Sequence, residues 1–133
     1  MQTATAPVET TVLQVPALPR YARLVRMTAA NMAQIAGMNI EDVDDVRMAA
    51  EEAFVYACAT GVQGALRVSF ALTSDALRMD FELGAAAVAE DEEEPSLVYG
   101  AFILEAMCDE CAIVDGPVNV LRLVKRVGEG DGY

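Results

Sequence analysis

Three residues on one predicted helix could do chemistry together. Asp45, Glu52 and Tyr56 stand seven and four positions apart, which brings them to one side of an α-helix. A carboxylate in such a row can take the proton of an attacking hydroxyl or hold a cation through its oxygens. The row can equally be a solvated helix face. A second candidate is Cys108-Asp-Glu-Cys111. A structural zinc needs more ligands than Cys58, the one remaining cysteine, can add. A redox pair sits as a rule at a helix N-terminus, and this pair falls at a predicted C-terminus. Small apolar fillers at a helix end are the simpler reading. The chain has no histidine, so Ser–His and Cys–His nucleophile pairs and all histidine metal sites are excluded.

The helix that must position the row is predicted over Asn39–Thr60. Asn39 is a good N-cap, and Asp42 stands where a capping-box acid would be. Glu41 and Asp42 suit the positive end of the helix dipole. Gly61 follows as a C′ glycine. Val43, Val46, Ala50, Ala53, Phe54 and Ala57 form a stripe with the spacing of a buried face. Before it, Thr10–Val15 reads as a strand ended by Pro16. Leu18-Pro19 then opens a helix to about Ala36, with Tyr21, Val25, Thr28, Met32 and Ile35 as its apolar stripe and Leu24 and Ala36 alongside. Gly37 stops it.

Two alternating runs follow. Leu66, Val68, Phe70 and Leu72 point one way, as do Leu77, Met79, Phe81 and Leu83, with Arg67, Ser69, Arg78, Asp80 and Glu82 opposite. With Thr73-Ser74-Asp75 between them, this is a β-hairpin with one wet face. Residues 84–96 lack periodicity, contain Glu90-Asp91-Glu92-Glu93-Glu94 and read as a mobile acidic loop. Ser96 caps a third predicted helix to about Asp109. Cys111–Val114 is a short strand, and Val118–Val127 is the last, with Val118, Val120, Leu121 and Leu123 inside and Arg122, Lys125 and Arg126 at polar positions. Residues 1–8 and 128–133 are expected to be frayed. The fold class is α+β: one domain over 1–133 with its core at about 10–127. It is a two-layer sandwich whose mainly antiparallel (mixed) sheet of four to five strands carries three helices on one face.

Composition narrows the function. At 133 residues and 54% hydrophobic, the chain can bury a core without staples. Nine basic residues against twenty-one acids, net charge −12, argue against nucleic acid as a partner and suit a basic protein. A solubilising role accounts for the same charge equally well. The lack of a signal-peptide pattern and the odd cysteine count point to the cytoplasm, and no apolar run is long enough for a membrane span.

The stretch VPALPRYARLVRMTAANMAQIAGMNIEDVDDVRMAAEEA, with Tyr21, Val25, Arg26, Ile40, Asp45, Ala49, Glu52 and Ala53, resembles the start of the anti-sigma factor serine kinases, small bacterial regulators among the GHKL (Bergerat-fold) ATPases. YGAFILEAMCDECAIVDGPVNVLRLVKRV is similar to the end of that family, through Gly100, Leu104, Glu105, Met107, Asp109, Glu110, Gly116 and Lys125. The resemblance implies ATP or ADP with Mg²⁺ as cofactor. It implies a catalytic acid at Glu52, a metal-holding asparagine at the position of Tyr56, and an adenine-reading aspartate in an Asp-x-Gly motif. Here that motif reads Glu82 and Gly84 by spacing, or Phe81 and Leu83 by the inward strand phase. It also implies a glycine-rich phosphate loop, of which Gly100 remains.

A phenol is a poor Mg²⁺ ligand, Phe81 offers no acid, and the acidic loop would repel a triphosphate. The sequence therefore leads to a transcription regulator with a degenerate ATP site and no cofactor or metal. Its implied partners are a sigma factor, an anti-anti-sigma (STAS) protein or a second copy bound through the sheet and first helix. A working Mg-ATP-dependent serine/threonine-protein kinase with Glu52 as base is the first alternative, and a small-ligand sensor the second.

Overall fold

The computed structural model describes residues 8–85 and 104–128. Strand β1 (Glu9–Pro16) leads through a 3₁₀ turn (Pro19–Tyr21) into helices α1 (Ala22–Ile35) and α2 (Ile40–Ala59). Strands β2 (Ala65–Leu72) and β3 (Ala76–Glu82) form the expected hairpin. After helical residues 104–107 come β4 (Glu110–Val114) and β5 (Val120–Arg126). All five strands join one sheet in the order β1-β2-β3-β5-β4, every pair antiparallel. This is the two-layer α+β sandwich read from the sequence. The acidic run, Gly100, the start of the third helix and residues 129–133 lie outside the described residues.

Local chemistry explains the elements. The Asn39 side chain accepts the Asp42 N–H at 2.8 Å, the predicted cap of α2. Gly61 ends that helix at φ 88°, a region that excludes most side chains. The inward phase of the hairpin is fully buried: Leu66, Val68, Phe70, Leu77, Met79 and Phe81 expose nothing. They form one core with Val46, Ala49, Ala50, Ala53, Phe54 and Ala57 of α2.

Two expectations about faces are corrected. The buried side of α1 is Ala22, Val25, Ala29, Met32 and Ala33. Thr28 is only half-buried, while Ile35 and Leu24 are 67% and 47% exposed. The physical reason is helix approach: alanines on α1 meet the alanines of α2, so small residues win the interface and larger ones are left outside. In β5, Leu121 and Leu123 face the core as expected, but Val118 is exposed and Val120 pairs with Glu82 on the outer phase. Lys125 pairs with Leu77, so it lies on the core-facing phase.

Candidate functional site

On α2, the row of Asp45, Glu52 and Tyr56 is present and every member is half-buried. Asp45 is already engaged. Lys125 Nζ donates to Asp45 Oδ2 at 3.2 Å and to the Met107 carbonyl at 3.0 Å, and lies 3.6 Å from Asp42 Oδ1. One ammonium thus ties β5, α2 and the helical residues 104–107 together. Burial would lower the lysine pKa, but the Asp45 hydrogen bond and the charges of Asp45, Asp42 and Asp109 hold it above its ordinary value. Glu52 has no hydrogen bond or ion pair among the described residues. Tyr56, one turn on, packs against the core, and burial raises its phenol pKa. It is a neutral phenol at physiological pH.

The sheet separates the other candidates. Phe81 faces inward, is fully buried and belongs to the same core that Tyr56 packs against. Glu82 is on the opposite face, with Arg67 Nε at 4.0 Å from its carboxylate. The strand phase therefore puts hydrocarbon, and not the Glu82 carboxylate, toward α2. Gly84 meets the end of α2. Its N–H donates to Thr60 Oγ1 at 2.7 Å. A Cβ on Gly84 would fall against the Thr60 carbonyl oxygen, 2.5 Å from Gly61 C and 2.6 Å from Val62 N. This glycine serves a close approach of two backbones. Among the described residues no group of three or more His, Cys, Asp or Glu could hold a metal ion.

Two residues have roles in the structure that the sequence did not assign to them. Thr60 is the one buried polar side chain among the described residues. Its hydroxyl donates to the Ala57 carbonyl at 2.6 Å while accepting from Gly84. A threonine directly before a C′ glycine is a visible signal for such a cap, but its partner across the fold is not. Lys125 was read as an outer polar position, and only the register turns it inward.

The cysteines are free. Burial first, and the neighbouring Cys111 next, push the Cys108 thiol up to about 12, and burial also raises Cys58 and Cys111. These are inert thiols, in line with the reading as apolar fillers. The raised Cys108 pKa has a consequence for stability. Above pH 9 the unfolded thiol ionises while the folded one keeps its proton, so stability falls as pH rises from 9 toward 12. The slope from one such group approaches about 1.4 kcal/mol per pH unit. Urea unfolding of wild type and Cys108→Ala between pH 8 and 11 is expected to show a shallower alkaline decline in the variant.

Charge on the surface is unevenly claimed. Of the nine basic residues, seven have a carboxylate within ion-pair distance. Arg20 and Arg23 have none among the described residues. Arg20, in the 3₁₀ turn with its guanidinium 5.6 Å over the Tyr21 ring, and Arg23, in the first turn of α1, lie in the same stretch of chain as Leu18, Leu24 and Met27, which are 42%, 47% and 50% exposed.

Comparison with known proteins agrees with this architecture. Residues 15–125 match the model of the histidine kinase-like ATPase domain. The chain is also 20% identical over 135 residues to the serine-protein kinase RsbW of Staphylococcus aureus, a match that covers 86% of this chain and 85% of that protein. Among the described residues no helix is long and apolar enough to cross a membrane. With its match running from the last residues of β1 to the last residues of β5, the chain belongs to the histidine kinase-like ATPase domain family.

Proposed function

We propose that this chain is a cytoplasmic regulator of the anti-sigma type that works by binding protein partners and has weak or lost ATP binding. The observation that carries the reading is Phe81. It fills the inward position with a fully buried ring, where adenine recognition needs a polar acceptor. Tyr56 adds a phenol where Mg²⁺ would need a carbonyl or carboxylate oxygen. The residues present do not fit the nucleotide.

Partner binding has its own support. The guanidiniums of Arg20, which stands 5.6 Å over the Tyr21 ring, and of Arg23 have no carboxylate partner among the described residues, and with the exposed Leu18, Leu24 and Met27 they suit an acidic protein partner that brings an aliphatic anchor. An anti-anti-sigma protein is one partner class that the family resemblance implies. A sigma factor and a second copy of the chain are the others.

A second reading rests on Glu52. Its carboxylate is half-buried and unclaimed among the described residues, and the relative RsbW is named a serine-protein kinase. If that reading holds, Glu52 is the base that takes the proton of the substrate hydroxyl.

Titration calorimetry with Mg-ATP and Mg-ADP separates the two. The expected result is no binding tighter than about 100 μM, some 5.5 kcal/mol. Tighter binding, lost in Glu52→Ala or accompanied by phosphate transfer to a partner serine, would favour the kinase.

A further inference from the structure

The outer face of the sheet carries a charge unlike the rest of the chain. Arg67 of β2, Arg78 of β3 and Arg122 and Arg126 of β5 all lie on the phase opposite the buried Val68, Met79 and Leu123. The described carboxylates on that phase are Asp80, Glu82 and Glu110. Four guanidiniums against three carboxylates leave this face positive, on a chain whose net charge is −12. Both long helices pack on the other face, and no described element covers this one.

Two of the four arginines are held fast. Arg122 donates from Nε and Nη2 to the two oxygens of Asp80 at 2.9 and 3.0 Å, and Arg126 donates to Glu110 at 2.7 Å. The other two are only loosely tied. Arg78 stands 3.7 Å from the carboxylate that Arg122 already engages, and Arg67 stands 4.0 Å from Glu82. Both distances exceed a hydrogen bond, and neither guanidinium makes one among the described residues. Cross-strand ion pairs are ordinary on the wet face of an antiparallel sheet. A pair formed for that purpose alone closes as Arg122 and Asp80 do. Arg67 and Arg78 instead keep donors in a planar fork that fits a carboxylate, on side chains 51% and 47% exposed. Their spacing is regular. Arg78 lies opposite Ala71, four residues along β2 from Arg67, or about 13 Å at the rise of a strand. Midway stands Ser69, with the 47% exposed Val12 beside it on β1.

We propose that this face docks an extended acidic segment of a protein partner, with carboxylates at positions i and i+4 on Arg67 and Arg78 and an aliphatic side chain at i+2 against Val12. Alternate residues of an extended chain share one face, and positions i and i+4 are about 13 Å apart, which matches the two arginines. The surface is distinct from that of Arg20 and Arg23, which belong to the 3₁₀ turn and α1. It does not depend on whether nucleotide binds. Exposed ion pairs are screened by salt, so the docking weakens as ionic strength rises.

The probe is the peptide acetyl-Glu-Ser-Val-Ser-Glu-amide, whose pattern reads the same in either chain direction. It is titrated at low salt into the isotope-labelled full chain, and backbone amide shifts are followed by NMR. A dissociation constant on the order of 1 mM is expected, because two exposed ion pairs and one apolar contact supply little. The shifts are expected at Val12, Arg67, Ser69 and Arg78. Arg67→Gln and Arg78→Gln are each expected to weaken binding about fivefold, the size of one exposed ion pair. Both side chains are half exposed, and an unchanged urea midpoint checks that the variants fold. Arg47→Gln removes the same charge from α2 and is expected to change binding by less than about twofold. Acetyl-Glu-Ser-Val-Glu-Ser-amide has equal charge but turns its second glutamate to the other face, and is expected to bind about fivefold more weakly. No saturable shift at about ten times the expected constant overturns the proposal. Equal binding of the two peptides, or an equal loss in Arg47→Gln, shows attraction by net charge alone and overturns it as well. Shifts centred on Arg20 and Arg23 that survive Arg67→Gln overturn the sheet site while supporting the acidic partner at α1.

Discussion

Phe81→Ala is expected to lower the unfolding free energy by about 3–5 kcal/mol, the range for truncating a buried aromatic. Phe81 is fully buried, with Val68 beside it on β2 and Leu121 on β5. Its loss opens a cavity that strands paired on both sides cannot collapse to fill. Since whole domains are stable by only about 5–15 kcal/mol, a drop in the urea midpoint should be plain. The number also bears on function. In an open nucleotide pocket the ring would border solvent, and its truncation would cost about 1 kcal/mol or less. A small effect would therefore count against the proposed loss of the site. Phe81→Asp, the substitution that would restore an acid, buries an unpaired carboxylate in the same core and is expected to destabilise more than alanine does. Tyr56→Asn is the gentler probe of lost nucleotide binding, because Tyr56 is only half-buried.

The second large effect belongs to Lys125. Its side chain is 12% exposed and satisfies Asp45 and the Met107 carbonyl together. Lys125→Met keeps the stem and removes the charge, leaving Asp45 without its donor beside the core. The expected loss is about 2 kcal/mol. That is below the range for breaking a fully buried pair because the Asp45 side chain is 32% exposed and water screens part of the charge. A double-mutant cycle with Asp45→Asn should show that much of the loss is shared between the two positions. The lysine's folded pKa lies above its ordinary 10.5, so the pair stabilises the fold fully below that pH. Its contribution disappears as pH rises through the folded value. The stability difference between wild type and Lys125→Met should hold from pH 7 to pH 10 and close above it.

Much of the fold is readable from residue types because it rests on local rules. Asn39 and Gly61 mark the ends of α2 through backbone groups that lie within one turn of them. The strict alternation from Leu66 to Leu83 states which side of the hairpin is dry, and the inward phase of Phe81 follows from counting. The same counting leaves Glu82 on the wrong face for a partner on α2. The face of α1 is harder to read. Hydrophobicity ranks Leu24 and Ile35 above alanine, whereas a close helix pair selects for small size, and nothing in the single sequence says how near α2 lies.

The sequence by itself determined the helix caps, the hairpin, the inward phase of Phe81 and the family resemblance, because each depends on neighbours a few residues apart or on the identity of one side chain. Only the tertiary structure decided that Lys125 turns inward to Asp45, that Gly84 yields its space to the backbone at Thr60–Val62, and that β1 stands at the end of the strand order. These depend on strand register and on contacts across twenty residues or more, such as Gly84 with Thr60 and Lys125 with Asp45. Register is set by the whole core closing at once, since a shift of one residue would turn every buried side chain of a strand to water.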